Sequence, residues 1–308
     1  MAGPVTYVYD AAGNAVADGT FIFTWNTAGR LSNVSTGDET AVSSLYNGHG
    51  ERMLKMKPQG REIKSTIFVY DPAGRLIGDY STPTVRKKPG AWQLNQETVW
   101  FGDIPVAVLK QDIVNDPVQV YYIHADHLNT PRMIVDSSNT PVWQWHNRNA
   151  FGDNLPDEDP DGDSNLFEYN LRFAGQYFDA ETNLYYNYFR DYEPQTGRYL
   201  SSDPIGLAGG LNTYGYALQN PLSFVDPTGE AVQLPVVLKG VVAACRVAIS
   251  GITKLISKVT KKNIPKDTLK SPDIDPKDIT NKIPAQIDRL AKDKGLIPKG
   301  PNRLTLIQ

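Results

Sequence analysis

Short runs of aromatic and β-branched residues recur along the first 80 residues. Each run is followed by Asp or Asn and then by a turn that ends in Gly. The clearest copies are Tyr7–Asn14, Thr24–Leu31, Leu45–Gly50 and Phe68–Arg75. Strands joined by such turns are the direct interpretation. A spacing of roughly 15 to 25 residues predicts an array of hairpins that bury their faces against one another.

Strand-like segments continue beyond this array, and few windows before residue 230 have helical periodicity. The predicted strands lie at 97–109, 118–123, 131–135, 142–146 and 184–189. Gly and Pro together number 47 residues, which suits a chain with many turns. The pattern therefore predicts a mainly β fold up to residue 230.

The periodicity changes after residue 230. Basic residues at 239, 246, 254, 258 and 261 fall on one side of a helical wheel, with apolar residues largely elsewhere. This pattern predicts a basic amphipathic helix over 239–261. A linker rich in Lys, Pro and Asp follows over 261–278, and a short helix is expected over 284–294. The end of the chain is thus predicted to be a small helical tail.

The net charge of −3 conceals two units of opposite sign. Residues 1–230 carry a balance of −12, whereas residues 231–308 carry +9. An acidic front and a basic tail suggest different partners, with nucleic acid or an anionic membrane as candidates for the tail. The start of the chain has no signal-peptide pattern, so we expect a cytoplasmic protein that is exported by another route to the surface or to a target cell. The single cysteine, Cys245, excludes an internal disulfide framework.

Two long blocks, 121–132 and 171–229, resemble the Rhs repeat-associated core domain of Rhs and toxin-complex proteins. The first reads YYIHADHLNTPR, and the second contains the tetrapeptides DPIG and DPTG. The resemblance implies a shell of YD-repeat hairpins, closed by a plug that spirals inward. It divides the chain into a YD-repeat sheet at 1–120, a core at 121–230 and an effector-like tail at 231–308.

In the family, the core is an autoprotease that cuts shortly after the second Asp-Pro-x-Gly motif. The resemblance assigns the catalytic roles to Asp203, Asp226 and Arg190, and the cut to the bond between Glu230 and Ala231. Two carboxylates held close together share a proton, so that one can act as base and the other as acid. Turn chemistry alone also accounts for such tetrapeptides. The family usually has Leu where this chain has Glu230.

An acidic stretch, 157–168, fits the calcium-loop pattern D-x-D-x-D-G-x5-E. Asp157, Asp159, Asp161 and Glu168 are the candidate ligands, because Ca²⁺ prefers carboxylate oxygens. Pro160 and the lack of a preceding helix favour a solvated hairpin loop instead. No other cofactor is expected.

These observations predict the C-terminal part of an Rhs polymorphic toxin that encloses and releases its own C-terminal segment. By resemblance, its partners would be an immunity protein and a delivery protein or secretion apparatus of type VI or a related kind. The tail contains no histidine, which excludes a His-dependent nuclease within it. The alternatives are a cell-surface YD-repeat protein that binds carbohydrate without cleavage, and an inactive orphan fragment.

Overall fold

The computed structural model describes residues 6–85, 88–89, 91–111 and 117–233. Within this part of the chain, fourteen strands form one antiparallel sheet whose order follows the chain, apart from a short strand that pairs only with β8. The strands are β1 (Val8–Tyr9), β2 (Ala15–Ala17), β3 (Ile22–Trp25), β4 (Leu31–Thr36), β5 (Glu39–Tyr46), β6 (Arg52–Gln59), β7 (Glu62–Tyr70), β8 (Leu76–Val85), β9 (Lys88–Pro89), β10 (Gln93–Phe101), β11 (Ile104–Lys110), β12 (Gln119–Ala125), β13 (Pro131–Val135) and β14 (Pro141–Gln144). The mainly β prediction is confirmed.

The turn between β7 and β8 represents the repeated Asp/Asn turns. Asp71 Oδ1 accepts hydrogen bonds from the backbone N–H groups of Ala73 (2.9 Å) and Arg75 (3.0 Å). Gly74 has φ +80°, a conformation that glycine adopts without steric cost. The same side-chain-to-backbone pattern recurs at Asp10, Asn26, Asn47, Asp126 and Asp136. The repeated sequence motif is therefore a repeated turn.

A second, smaller sheet packs on the buried face of the large one. Its antiparallel strands are β15 (Tyr177–Asp179), β16 (Leu184–Asn187), β17 (Arg190–Glu193) and β18 (Arg198–Tyr199). We call residues 167–233, which contain this small sheet, the plug. The plug also bonds to the start of β2, where Ala15 N–H donates to the Leu200 carbonyl at 2.8 Å.

Aromatic side chains fill the space between the two layers. Phe68 of the large sheet meets Tyr177 of the plug edge to face, with ring centroids 5.1 Å apart. Trp143 of β14 meets Tyr169 in the same way at 5.6 Å. Edge-to-face pairs add to the stabilisation from burial alone. The high tyrosine content thus serves interior packing.

A buried ion cluster also joins the layers. Arg52 of β6 makes two hydrogen bonds to the Asp179 carboxylate of β15, and Lys55 Nζ lies 2.9 Å from the same group. Burial raises the pKa of Asp179, but the positive charges of Arg52 and Lys55 outweigh burial and hold it below its usual value. Lys55 also pairs with Glu181 at 3.1 Å. The cluster fixes the plug against the middle of the large sheet.

Asp191 of β17 faces this cluster from the plug. Burial raises its pKa to about 7, against the opposing influence of Arg52. Asp79, which is buried in β8, has its pKa raised to about 6, also by burial. Both groups therefore hold a proton in the folded state at pH values where an unfolded chain would have lost it.

Some expectations differ from the structure or fall outside it. The predicted strand 97–109 is two strands joined by a tight turn at Gly102. The large sheet continues across residue 120 into β12–β14, while the three-part division of the chain stays a prediction. The predicted helices 239–261 and 284–294 lie outside the described residues. Among the described residues, no helix is long and apolar enough to cross a membrane.

Replacing Arg52 with Ala should destabilise the fold by about 3 kcal/mol, because Asp179 would lose its bidentate partner inside a buried interface. Chemical unfolding followed by tryptophan fluorescence measures the loss, since Trp143 and Trp145 are fully buried. The matched control is Arg75→Ala, which removes the more exposed pair to Asp71 and should cost less than about 1 kcal/mol. Equal losses in the two variants would contradict this account.

The raised pKa of Asp191 predicts a stability that depends on pH. Its contribution is complete below the usual carboxyl pKa and is lost as the pH rises towards 7, at up to about 1.4 kcal/mol per pH unit. In Asp191→Asn the side chain is neutral throughout, so the variant should lose less stability than the wild type between about pH 5 and about pH 8. Parallel losses in both proteins would refute the assignment.

Candidate functional site

The turn between β16 and β17 is the centre of the candidate site. Asn187 pairs with Arg190 across a two-residue loop, in which Tyr188 has φ +54°. A left-handed conformation costs a residue with a side chain roughly 1 to 2 kcal/mol. The cost is offset by tertiary bonds to this loop, since Phe189 N–H donates to the Thr228 carbonyl at 3.0 Å. The turn is thereby held at the second Asp-Pro-x-Gly motif.

Arg190 points from this turn into the interior and is only 2% exposed. Its Nη2 lies 3.0 Å from Asp203 Oδ2 and 3.3 Å from Asp226 Oδ2. Nη1 donates to the Thr213 carbonyl at 2.9 Å, and Nε donates to the Gly229 carbonyl. One guanidinium therefore connects both carboxylates to the segments that carry them.

The two carboxylates differ in their surroundings. Asp203 Oδ1 accepts from the N–H of Ile205 at 3.0 Å, whereas Asp226 Oδ1 accepts from the N–H of Glu230 at 3.1 Å. Burial raises the pKa of Asp203, and the nearby positive charge of Arg190 opposes this shift. Asp226 Oδ2 also accepts the hydroxyl of Tyr199 at 2.8 Å.

A third tetrapeptide of the same kind, Asp71-Pro72-Ala73-Gly74, lies in the large sheet and shows what turn chemistry alone produces. Burial would raise the pKa of Asp71, but the hydrogen bond from Arg75 and the turn's backbone N–H groups lower it below its usual value. Asp203 makes the same bond to the second following N–H but is buried beside another carboxylate. Burial and Arg190, and not the turn, distinguish the site.

The segment that contains the predicted cut crosses the site as a closed loop. Val225 and Gln233 form an antiparallel bridge, with hydrogen bonds of 3.1 and 2.7 Å in the two directions. The bond between Glu230 and Ala231 lies within the loop that this bridge closes. Burial raises the pKa of Glu230, and the positive charge of Arg30 opposes this shift.

Gly209 provides the space in which this loop meets Asp203. A Cβ atom at Gly209 would lie 2.2 Å from Asp203 Oδ2 and 3.0 Å from the Glu230 carbonyl oxygen. The Asp203 carboxylate oxygen and the Glu230 carbonyl oxygen therefore both border the small space that Gly209 leaves open because it has no side chain. The loop also passes close to Gly175, where a Cβ atom would overlap the Pro227 carbonyl.

A residue of the large sheet supports the site from behind. Arg30, which follows the turn after β3, donates from Nη1 to the Phe189 carbonyl at 2.7 Å and stacks over the Phe189 ring. The site therefore depends on contact between the plug and the sheet.

The structure brings together the predicted residues Arg190, Asp203, Asp226 and Glu230, with Ala231 directly after them and exposed. Their catalytic role stays a prediction. Sequence reasoning did not find Tyr199, Asn187 and Gly209. No local sequence signal distinguishes these three residues. Asn187 and Tyr199 reach the site through the pairing register of the small sheet, and Gly209 reaches it because separate segments of the chain approach each other there.

Comparisons with known proteins agree with this architecture. The model of the Teneurin YD-shell family matches residues 108–221. The chain is 40% identical over 124 residues to the toxin protein Tse5 of Pseudomonas aeruginosa, which covers 39% of this chain and 8% of Tse5. It is also 30% identical over 186 residues to the probable deoxyribonuclease RhsA of Dickeya dadantii, covering 54% of this chain and 12% of that protein.

A solved structure of TcdB2-TccC3 without its hypervariable C-terminal region has the same fold. It superposes with a TM-score of 0.59 at 23% identity, over 72% of this chain and 11% of that one. The chain is an Rhs/YD-repeat protein. It spans only about a tenth of the length of these three proteins.

The predicted calcium loop of this Rhs protein lies at the surface. Carboxylate oxygens of Asp159, Asp161 and Asp163 come within 4.8 Å of one another, and Gly162 makes a turn with φ +72°. The structure thus groups two of the predicted ligands with Asp163 rather than with Asp157 and Glu168. Calcium binding stays a prediction.

Calcium should raise the melting temperature of this Rhs protein if the loop binds the ion, because a ligand that binds only the folded state stabilises it. The double variant Asp159→Asn/Asp161→Asn should lose the increase. The control Asp136→Asn changes a turn carboxylate elsewhere and should keep it. Identical melting curves with calcium and with chelator would remove the assignment.

Proposed function

We propose that this Rhs protein cuts its own chain once, between Glu230 and Ala231, and thereby separates residues 231–308 from residues 1–230. The observation that carries the proposal is the position of Arg190, whose Nη2 contacts both Asp203 and Asp226 beside the loop to be cut. Two carboxylates that share a positive partner in a buried site can divide the roles of acid and base.

The reaction consumes one water molecule. One carboxylate takes a proton from the water, whose oxygen attacks the Glu230 carbonyl carbon, while the other carboxyl group gives its proton to the carbonyl oxygen. When the tetrahedral intermediate collapses, the bond between the Glu230 carbon and the Ala231 nitrogen breaks. The amine receives the proton that the base took from water, and a hydroxyl of the intermediate returns its proton to the carboxylate that acted as acid. The products are a carboxyl group at Glu230 and an amino group at Ala231.

The loop geometry supports this cut. Asp226 accepts the N–H of Glu230, and Asp203 shares the space above Gly209 with the Glu230 carbonyl oxygen. Glu230 is thus held through its N–H by one carboxyl group, and its carbonyl oxygen lies beside the same small space as the other. Proximity of this kind supplies a large part of an enzyme's rate enhancement.

The released segment would act as, or lead into, an effector. Relatives of this chain include proteins named as toxins and deoxyribonucleases. The positive balance of residues 231–308 suits a polyanion such as nucleic acid or an anionic membrane. In this proposal a delivery protein exports the molecule for competition between bacteria, and an immunity protein protects the producer.

Intact mass spectrometry of the purified protein tests the cut. The wild type should yield two species that divide between Glu230 and Ala231. Asp203→Ala and Asp226→Ala should each yield the uncut chain, because either change removes the acid or the base. The matched control is Asp71→Ala, which alters the same tetrapeptide in the large sheet and should be cut like the wild type.

An uncut wild type across a range of pH would reject the proposal. Cutting that persists in both Asp203→Ala and Asp226→Ala would reject these residues as its cause. A fragment boundary elsewhere in the chain would reject the assignment of Glu230 and Ala231. Circular dichroism of each variant checks that loss of cutting does not arise from loss of folding.

A further inference from the structure

Three hydrogen-bonding groups surround the Asp226 carboxylate. Its Oδ2 receives Tyr199 Oη at 2.8 Å and Arg190 Nη2 at 3.3 Å, and its Oδ1 receives the N–H of Glu230 at 3.1 Å. Arg190 and the backbone N–H can only donate. The tyrosine hydroxyl could donate or accept, so the direction of that bond needs a separate argument.

Asn187 fixes the direction of the tyrosine bond. Its Nδ2 lies 2.9 Å from the carbonyl oxygen of Asp226 and 2.7 Å from Tyr199 Oη. A backbone carbonyl only accepts, so the amide must face it with nitrogen and not with oxygen. The second hydrogen on Nδ2 then occupies a lone pair of the Tyr199 oxygen. The hydroxyl proton of Tyr199 is left for Asp226 Oδ2.

Tyr199 is suited to this role because it remains protonated. Burial raises its pKa well above the usual value, and the negative charge of Asp226 raises it further. Its ring also lies beneath the Arg190 guanidinium, whose Cζ is 3.7 Å from the centroid of the ring. Tyr199 thus positions Arg190 through the face of its ring and Asp226 through its hydroxyl.

Asp203 has fewer donors and a different neighbour. Ile205 N–H and Arg190 contact its two oxygens, while Oδ2 shares the space above Gly209 with the Glu230 carbonyl oxygen. A carboxyl group that keeps its proton can donate it to that carbonyl. Since two adjacent carboxylates do not readily both ionise, stabilising one as the anion leaves the proton on the other.

We propose that Asn187 and Tyr199 are positioning residues that keep Asp226 as the ionised base, which leaves Asp203 as the acid for the Glu230 carbonyl. This assignment rests on the proposed self-cleavage and divides the roles within it. Tyr199→Phe is the direct test, because it removes the hydroxyl and retains the ring beneath Arg190.

Cutting is followed in a cell-free translation, in which labelled chains are transferred to buffers of different pH. In Tyr199→Phe the rate should fall about tenfold to a hundredfold, the effect of losing one hydrogen bond to a charged group. The acidic limb of the rate profile should move to higher pH, because the base ionises less readily. The alkaline limb, which reports the acid Asp203, should stay in place. Asn187→Ala should move the acidic limb in the same direction.

The matched control is Tyr185→Phe, which removes a buried hydroxyl of the same small sheet that bonds to the Gly152 carbonyl at 2.7 Å. Both limbs of its profile should coincide with those of the wild type. A slower Tyr199→Phe with both limbs unmoved would reduce Tyr199 to a structural role. Movement of the alkaline limb would reverse the assignment of acid and base.

A second measurement does not depend on cutting. In the uncut Asp203→Asn protein, the carboxyl carbon of Asp226 is titrated by nuclear magnetic resonance with and without Tyr199→Phe. The variant should titrate at higher pH than its parent. Coincident titrations would overturn the positioning role of Tyr199 even if the wild type cuts, whereas an uncut wild type with shifted titrations would overturn only the proposed function.

Discussion

The arrangement of the plug depends on the buried guanidinium of Arg190. Its contacts reach two carboxylates and the carbonyls of Thr213 and Gly229, which belong to separate segments of the chain. Buried charges are costly unless each is paired and hydrogen-bonded, so these segments come together only as a set. The same contacts that assemble the plug therefore assemble the candidate site.

The large sheet contributes to the site without supplying a carboxylate to it. Arg30 contacts the hairpin turn that carries Arg190. Arg52 of β6 pairs with Asp179 of β15, the strand next to this hairpin in the small sheet. Both contacts link residues more than a hundred positions apart in sequence, so they form only after the sheet and the plug have met. In the proposed mechanism, cutting is consequently tied to completion of the fold.

The sequence predicted the strands and turns well because each Asp/Asn turn is a local structure with its own signature. It also pointed to Asp203, Asp226 and Arg190, through a resemblance that covers the whole block 171–229. Asp71 shows the limit of the motif alone, since the same tetrapeptide there forms only a turn. Asn187 and Tyr199 could not be predicted, because the register of the small sheet brings them to Asp226 from different strands.

In the proposed reaction, water hydrolyses the bond after Glu230. The reaction is tested by letting the protein fold and cut in water enriched in heavy oxygen, and then analysing its peptides by mass spectrometry. We expect one heavy oxygen in the new carboxyl group of Glu230 and none elsewhere in that peptide. A peptide that ends at Glu230 without heavy oxygen, or a chain that remains uncut, would contradict it.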